Sequence, residues 1–347
     1  MSLFGQIERL PLRIDRYRLE PRSLDVASGW QRLTTTVVFE GEGHEGRGED
    51  VVYEAPDQLA HHNFGSGLEL VGEFTLTAFS ERLDAQIEGL PPCSEGHSTN
   101  YRRWAYESAA LDLALRQSSV SLAASIGVQP APLNYVVSTG LGSPANAAPL
   151  QRVRALYPQM RFKIDLGDDW TPALVEELAA FGGIDTVDYK GLYRGNFSGP
   201  EPDPEMYRLV AEAFPYALLE DPAPEIIECI EPHWDRVSWD ACLHSVADIE
   251  ALPFPPKTIN IKPSRFGTWK ELLAVYEYCR EHEIAMYGGG QFELGCGRDH
   301  IQLLASLFHP AGANDVAPSG FNSAELAGDL PASPIDLATA PTGFRLL

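Results

Sequence analysis

Ionisable residues recur where short apolar runs of the chain end: Lys163 and Asp165, Asp188 and Lys190, Glu220 and Asp221, Asp240, Lys262, and Asp315. A carboxylate at the end of a strand ordinarily caps the next helix or holds a turn, and for any one of these that role would suffice. The conjunction asks for more. Asp188, Glu220 and Asp240 close successive runs, and on neighbouring parallel strands they would converge on one point. Converging hard oxygens suit Mg²⁺ or Mn²⁺. Lys262 ends the next run and would give such an ion a basic neighbour.

Positioning these residues takes a repeating unit, and from about Leu133 the chain supplies one: an apolar run, a polar residue, a turn, then a helix. Eight runs are legible, at 133–140, 160–167, 184–191, 216–222, 236–242, 258–267, 284–290 and 313–318. Helical stretches fit between most of them, as at Thr171–Phe181, Asp203–Phe214, Trp269–His282 and Arg298–Phe308. Eight β units alternating with helices predict an α/β fold with a TIM-type barrel, whose strand ends face the active site. An open doubly wound sheet is the alternative, but it gives no reason for eight units and the chain has no G-x-G-x-x-G. Before this, alternation over Arg32–Glu40, glycine breaks at 41, 43, 46 and 48, and a helix over about Tyr101–Ala124 predict a small α+β domain. The expected division is a capping domain over 1–127, a barrel over 128–320, and a tail over 321–347 that returns to the cap.

The segments Gly43–Glu49, Tyr106–Leu115, Leu219-Glu-Asp-Pro222, Trp239-Asp-Ala-Cys242 with Ser245–Leu252, Ile259–Gly267 and Gly288–Gly295 occur in this order. Together they resemble the enolase superfamily, in the branch of muconate-lactonizing enzymes, o-succinylbenzoate synthases and dipeptide epimerases. The resemblance covers nearly the whole chain. It implies that Asp188, Glu220 and Asp240 are metal ligands and Lys262 the acid/base lysine. A proton α to a carboxylate is weakly acidic, and a divalent metal on that carboxylate stabilises the enediolate as it forms. A lysine near such a metal has its pKa lowered enough to act as a base near pH 7.

Two departures bear on the reaction. The family's second strand ends lysine-x-lysine, where this chain has Lys163-Ile-Asp165; its third reads aspartate-x-asparagine, where this chain has Asp188-Tyr-Lys190. Either Lys190 supplies the missing amine with Asp165 as proton carrier or ion-pair partner, or Lys190 points outward and Asp165 holds a loop. One assured base favours a lyase (syn-dehydration, o-succinylbenzoate synthase-like) or a cycloisomerase. A racemase or epimerase with Lys190 or Lys163 as second base is the alternative. So is a barrel that binds metal and ligand without turnover.

Gly288–Gly290 reads either as a tight turn or as backbone donors, Gly289 and Gly290 among them, for a substrate anion. Glu293 matches a segment near the family's substrate, and Asp315 is either a substrate-binding acid or a helix cap. His61-His62-Asn63 has no metal-spacing partner. By resemblance, its loop and the one at Pro21–Trp30 would close over substrate. With 26 Lys and Arg against 49 Asp and Glu, the net charge of −23 argues against nucleic acid or an anionic membrane as partner. The expected partner is a small-molecule carboxylate, with a homo-oligomer allowed. Five scattered cysteines without a C-x-x-C pair, and no signal-peptide core, predict a soluble cytoplasmic protein.

Overall fold

The computed structural model describes residues 2–26, 30–193, 199–323 and 325–347. The N-terminal part runs β1 (Pro11–Ile14), β2 (Arg16–Asp25), β3 (Gln31–Gly41), β4 (His44–Asp50), α1 (Ala55–Phe64), β5 (Gly72–Thr75), α2 (Leu76–Asp84), α3 (Ser98–Gln117) and α4 (Leu122–Ile126). Strands β2, β3 and β4 form one antiparallel sheet, and β1 pairs with β5. Glu42 and Gly43, both at positive φ, make the tight turn between β3 and β4. Gly46 and Gly48 break nothing: they lie within β4, where a Cβ would run into the backbone of α3. That close approach explains α3, an alanine-rich helix with 15 of its 20 residues buried.

The second part runs β6 (Val137–Thr139), α5 (Ala148–Leu156), β7 (Phe162–Asp165), α6 (Pro172–Phe181), β8 (Ile184–Asp188), α7 (Pro204–Ala213), β9 (Leu218–Glu220), β10 (Val237–Trp239) and α8 (Val246–Glu250). It continues with β11 (Thr258–Ile261), α9 (Pro263–Phe266), α10 (Trp269–Glu281), β12 (Ala285–Gly288) and α11 (Cys296–Phe308). Thr171, Asp203, Ser245 and Thr268 cap their helices through side-chain oxygens, so each helix starts at a defined distance from its strand. The seven strands form one parallel sheet in strict chain order, β6 to β12. A doubly wound sheet reverses its order midway, so that alternative is excluded.

The expected eighth strand at 313–318 is not a strand. Asn314 makes one parallel bridge to Tyr135 beside β6, while the Asp315 N–H donates to Gly288 O at the end of β12. The Asn314 side chain adds to these links: its carbonyl accepts from Gly288 N–H at 2.6 Å and its amide donates to Asn134 O at 2.9 Å. Two further expectations need correction. Pro21–Asp25 belongs to β2 and is no loop, while residues 27–29 of that stretch lie outside the described residues. His61 and His62 lie in α1, where the buried His61 ring faces Asp50 at 2.7 Å and Tyr106 at 2.9 Å.

The chain end crosses both parts. Leu133 pairs with Ile335, and the Leu122 N–H reaches Gly343 O. Phe344 packs on Trp269 and His300, and its N–H donates to Asp112 in α3. No helix among the described residues is long and apolar enough to cross a membrane.

Two buried histidines make stability depend on pH. Burial pushes His300 down to about 3, with Arg345 acting in the same sense, and His309 down to about 4 despite its bond to Asn314. Both folded values lie below the unfolded one, so this stability is present above about pH 6.5 and is lost as pH falls toward the folded values. Each ring should remove about 1.4 kcal/mol per pH unit between about pH 6 and 4. Urea titrations across that range measure the slope. A His300→Asn variant with the wild-type slope would refute the assignment for that ring.

Candidate active site

The sheet register sets Asp165, Asp188 and Glu220 side by side at the strand ends. Asp240 lies two residues past Ser238, the β10 partner of Glu220. Asp188, Glu220 and Asp240 are fully buried. Four cations stand among them. Lys163 Nζ bonds Glu220 and is 3.6 Å from Asp188. Lys190 Nζ is 2.7 Å from Asp188 and 3.4 Å from Asp165. Lys262 Nζ is 2.7 Å from Asp240 Oδ2, and Arg265 Nε is 3.2 Å from Asp240 Oδ1. The Tyr287 hydroxyl donates to Glu220, and the Tyr193 hydroxyl donates to Asp240 at 3.1 Å. Asp221 is a scaffold: its two oxygens accept the N–H groups of Asp240 and Ala241, each at 2.8 Å.

Burial pushes the Glu220 carboxyl up to about 8, with the Lys163 ammonium only partly opposing it. It pushes Asp221 up to about 7, helped by the like charges of Asp240 and Asp188. Asp240 goes the other way. Burial would raise it, but Arg265 and Lys262 together hold it well below the usual carboxylate range. Burial would also discharge Lys262, but Asp240 overcomes this and keeps the ammonium charged.

Among the described residues, no three acidic, histidine or cysteine side chains close on one another as a ready metal cage. The donor chemistry still fits a hard divalent cation. Three buried carboxylates occupy neighbouring strand ends, and their charge is balanced by side-chain cations standing where an ion's charge would serve.

Lys163, Asp165, Lys190, Lys262 and Arg265 floor a cavity of about 890 Å³, with the three carboxylates buried beneath them; Tyr53, His97 and Tyr101 wall it on the cap side and Phe292 and Arg298 on the side of the parallel sheet. The cap is seated by two buried residues. Arg32 donates to Val51 O and Val52 O in the cap, and to Gln291 O and Phe292 O beyond β12, at 2.7 to 3.2 Å. Glu49 accepts from the N–H groups of Leu294, Gly295 and Gly297 at the start of α11, where a carboxylate also meets the helix dipole.

The other candidates divide. Lys163 is 1% exposed with its amine engaged by the two carboxylates, whereas the Lys190 side chain is 25% exposed and points inward to the cavity, not outward. The Gly289 N–H already donates to Ile261 O, and a Cβ there would meet Lys262 Cε at 2.8 Å; this glycine makes room for the lysine. Gly290 and Asp315 line the cavity. Glu293 stands behind it, accepting from Gln291 N–H at 2.7 Å and pairing with Arg298 at 3.4 Å. Sequence reasoning assigned no role to Arg265, Tyr193, Tyr287 or Asn260. Period-two alternation with Lys262 could have found Asn260, which lies on the same face of β11. Nothing in the pattern marks Tyr193, which sits in a loop.

Family models described as domain of unknown function (DUF8230), N-terminal and C-terminal domains, match residues 5–125 and 129–323. An N-succinylamino acid racemase from Amycolatopsis sp. is 28% identical over 280 residues, covering 76% of this chain and 73% of that protein. An o-succinylbenzoate synthase from Enterococcus faecalis is 25% identical over 308 residues, covering 84% and 78%. The crystal structure of a dipeptide epimerase from Methylococcus capsulatus complexed with Mg ion aligns with a TM-score of 0.70 at 18% identity, over 97% of this chain and 99% of that one. The crystal structure of a member of the enolase superfamily from Listeria innocua aligns with a TM-score of 0.64 at 21% identity, over 89% of this chain and 86% of that one. The chain therefore belongs to the DUF8230 family and carries the enolase-superfamily fold.

Proposed function

We propose that the protein abstracts the proton α to the carboxylate of a small-molecule substrate. Asp188, Glu220 and Asp240 would hold Mg²⁺, with Mn²⁺ able to replace it, and Lys262 is the base. The carrying observation is the set of three buried carboxylates on neighbouring strand ends, with Lys262 Nζ 2.7 Å from Asp240 at the cavity floor. When bound, the metal supplies positive charge to the substrate carboxylate and to the enediolate formed from it. The chain's own groups do the rest. Lys262 takes the α proton once its pairing with Asp240 is relaxed, and the seated cap keeps water from the reacting carbon.

One base on one face suffices for elimination, where the same amine can assist the leaving group. A lyase reaction of the o-succinylbenzoate synthase type, or a cycloisomerisation, is therefore the leading reading. The inward Lys190 amine beside Asp165 supports a second reading, racemisation or epimerisation with Lys190 on the opposite face. The division into a cap of 1–127, a barrel of 128–320 closed through Asn314, and a returning tail of 321–347 is part of the same proposal. A cytoplasmic location accords with five free cysteines.

Incubation in D₂O with acid sugars, dipeptides and succinylbenzoate-type acids tests the reading. Wash-in of deuterium α to a carboxylate is expected for at least one class. Binding without exchange would make the protein a ligand-binding barrel. Racemisation abolished by Lys190→Met would overturn the one-base reading.

A further inference from the structure

Lys190 takes up both oxygens of Asp188. Its backbone N–H donates to Asp188 Oδ1 at 2.9 Å, and its own ammonium lies 2.7 Å from Oδ2. The geometry depends on Lys190 adopting φ 55, a left-handed turn that a residue with a Cβ rarely takes and that folds the chain back over the strand end. The surroundings then hold the amine: Asp165 Oδ1 lies 3.4 Å away on the adjacent strand end, and the Tyr193 ring centroid 4.7 Å away. With the ammonium on Oδ2, a metal ion taking up Asp188 would meet a second positive charge at close range unless the ammonium moves. Asp165 and the Tyr193 ring form a second resting place already in contact with it.

We propose that Lys190 is an internal counter-cation that competes with the divalent metal for Asp188, and that Asp165 receives its ammonium when the metal binds. The inference rests on the metal reading above and deepens it: the exchange of one buried cation for another sets metal affinity. Two cations cannot share one buried carboxylate without strong mutual repulsion. Removing the lysine charge therefore favours the ion, and removing the Asp165 charge leaves the displaced ammonium without its acceptor.

Calorimetric titration of the full chain with Mg²⁺, without substrate, tests the exchange in wild type, Lys190→Met, Asp165→Asn and the double variant. Lys190→Gln serves if circular dichroism shows the methionine variant to be misfolded. Lys190→Met is expected to tighten Mg²⁺ binding at least tenfold, and Asp165→Asn to weaken it severalfold. In the Lys190→Met background, Asp165→Asn should lose most of its effect. Unchanged or weaker affinity in the lysine variant, with wild type binding Mg²⁺, overturns the competition and leaves the metal reading standing. An Asp165→Asn effect undiminished in the double variant overturns the receiving role. Absence of Mg²⁺ binding in every variant overturns the metal reading and this inference together.

Discussion

Lys262→Ala is expected to cut α-deuterium exchange about 10³-fold, with substrate binding retained. A positioned general base contributes roughly 10²–10⁴ to rate, and Lys262 is a nearly buried amine on the cavity floor, its Cε passing over Gly289. The fold should tolerate the change, because Asp240 keeps Arg265 at 3.2 Å and the Tyr193 hydroxyl at 3.1 Å as partners. The measurement is the initial rate of wash-in by NMR at saturating substrate, with unchanged near-ultraviolet circular dichroism as the folding control. A rate within tenfold of wild type would assign the base elsewhere, and Lys190 would be next to test.

Asp240→Asn is expected to act twice. Mg²⁺ affinity should fall about a hundredfold, equivalent to about 2.7 kcal/mol, as one of three anionic ligands is lost. The metal-free protein should also lose stability, because Lys262 and Arg265 would remain buried without their shared counter-charge. Breaking a buried pair by removing one partner costs about 3–5 kcal/mol. Calorimetry reads the first effect and urea unfolding the second. Unchanged Mg²⁺ affinity sinks the ligand assignment, whatever happens to stability. Undiminished stability would mean that water reaches the two cations and that the site is wetter than its burial indicates.

Several of the strand–helix units were legible because a short apolar run is followed by a helix with its own side-chain cap, and both signals are local. Pro172–Phe181 and Trp269–Glu281 fall within a residue of the sequence reading for that reason. The eighth unit was misread because it keeps only one main-chain link to each neighbour, Val136 N–H to Asn314 O and Asp315 N–H to Gly288 O, and the Asn314 side chain supplies the other bonds, which looks like a strand in composition and not in backbone. Gly46 and Gly48 misled in the opposite direction. A glycine in a strand reads as a break until the helix that needs the space is known, and α3 lies far along the chain. In the site, strand-end carboxylates and Lys262 could be named from position alone. The direction of Lys190 could not, since it depends on one left-handed φ, and neither could Tyr193 and Arg265, which reach Asp240 from a loop and a four-residue helix.

Arg32 lies over the Tyr53 ring in the cap, at 4.5 Å from its centroid, and grips the loop after β12 through two backbone carbonyls. On the loop side such a clasp is blind to side chains. Gln291 and Phe292, whose carbonyls it holds, both face the cavity, and Phe292 also meets Trp30 with ring centroids 5.9 Å apart. The residues at these two positions can therefore drift through mutation while the main chain stays anchored, so the seating of the cap and the shape of the wall are separately heritable. A lineage built this way can explore new ligands without first dismantling the joint between its two halves.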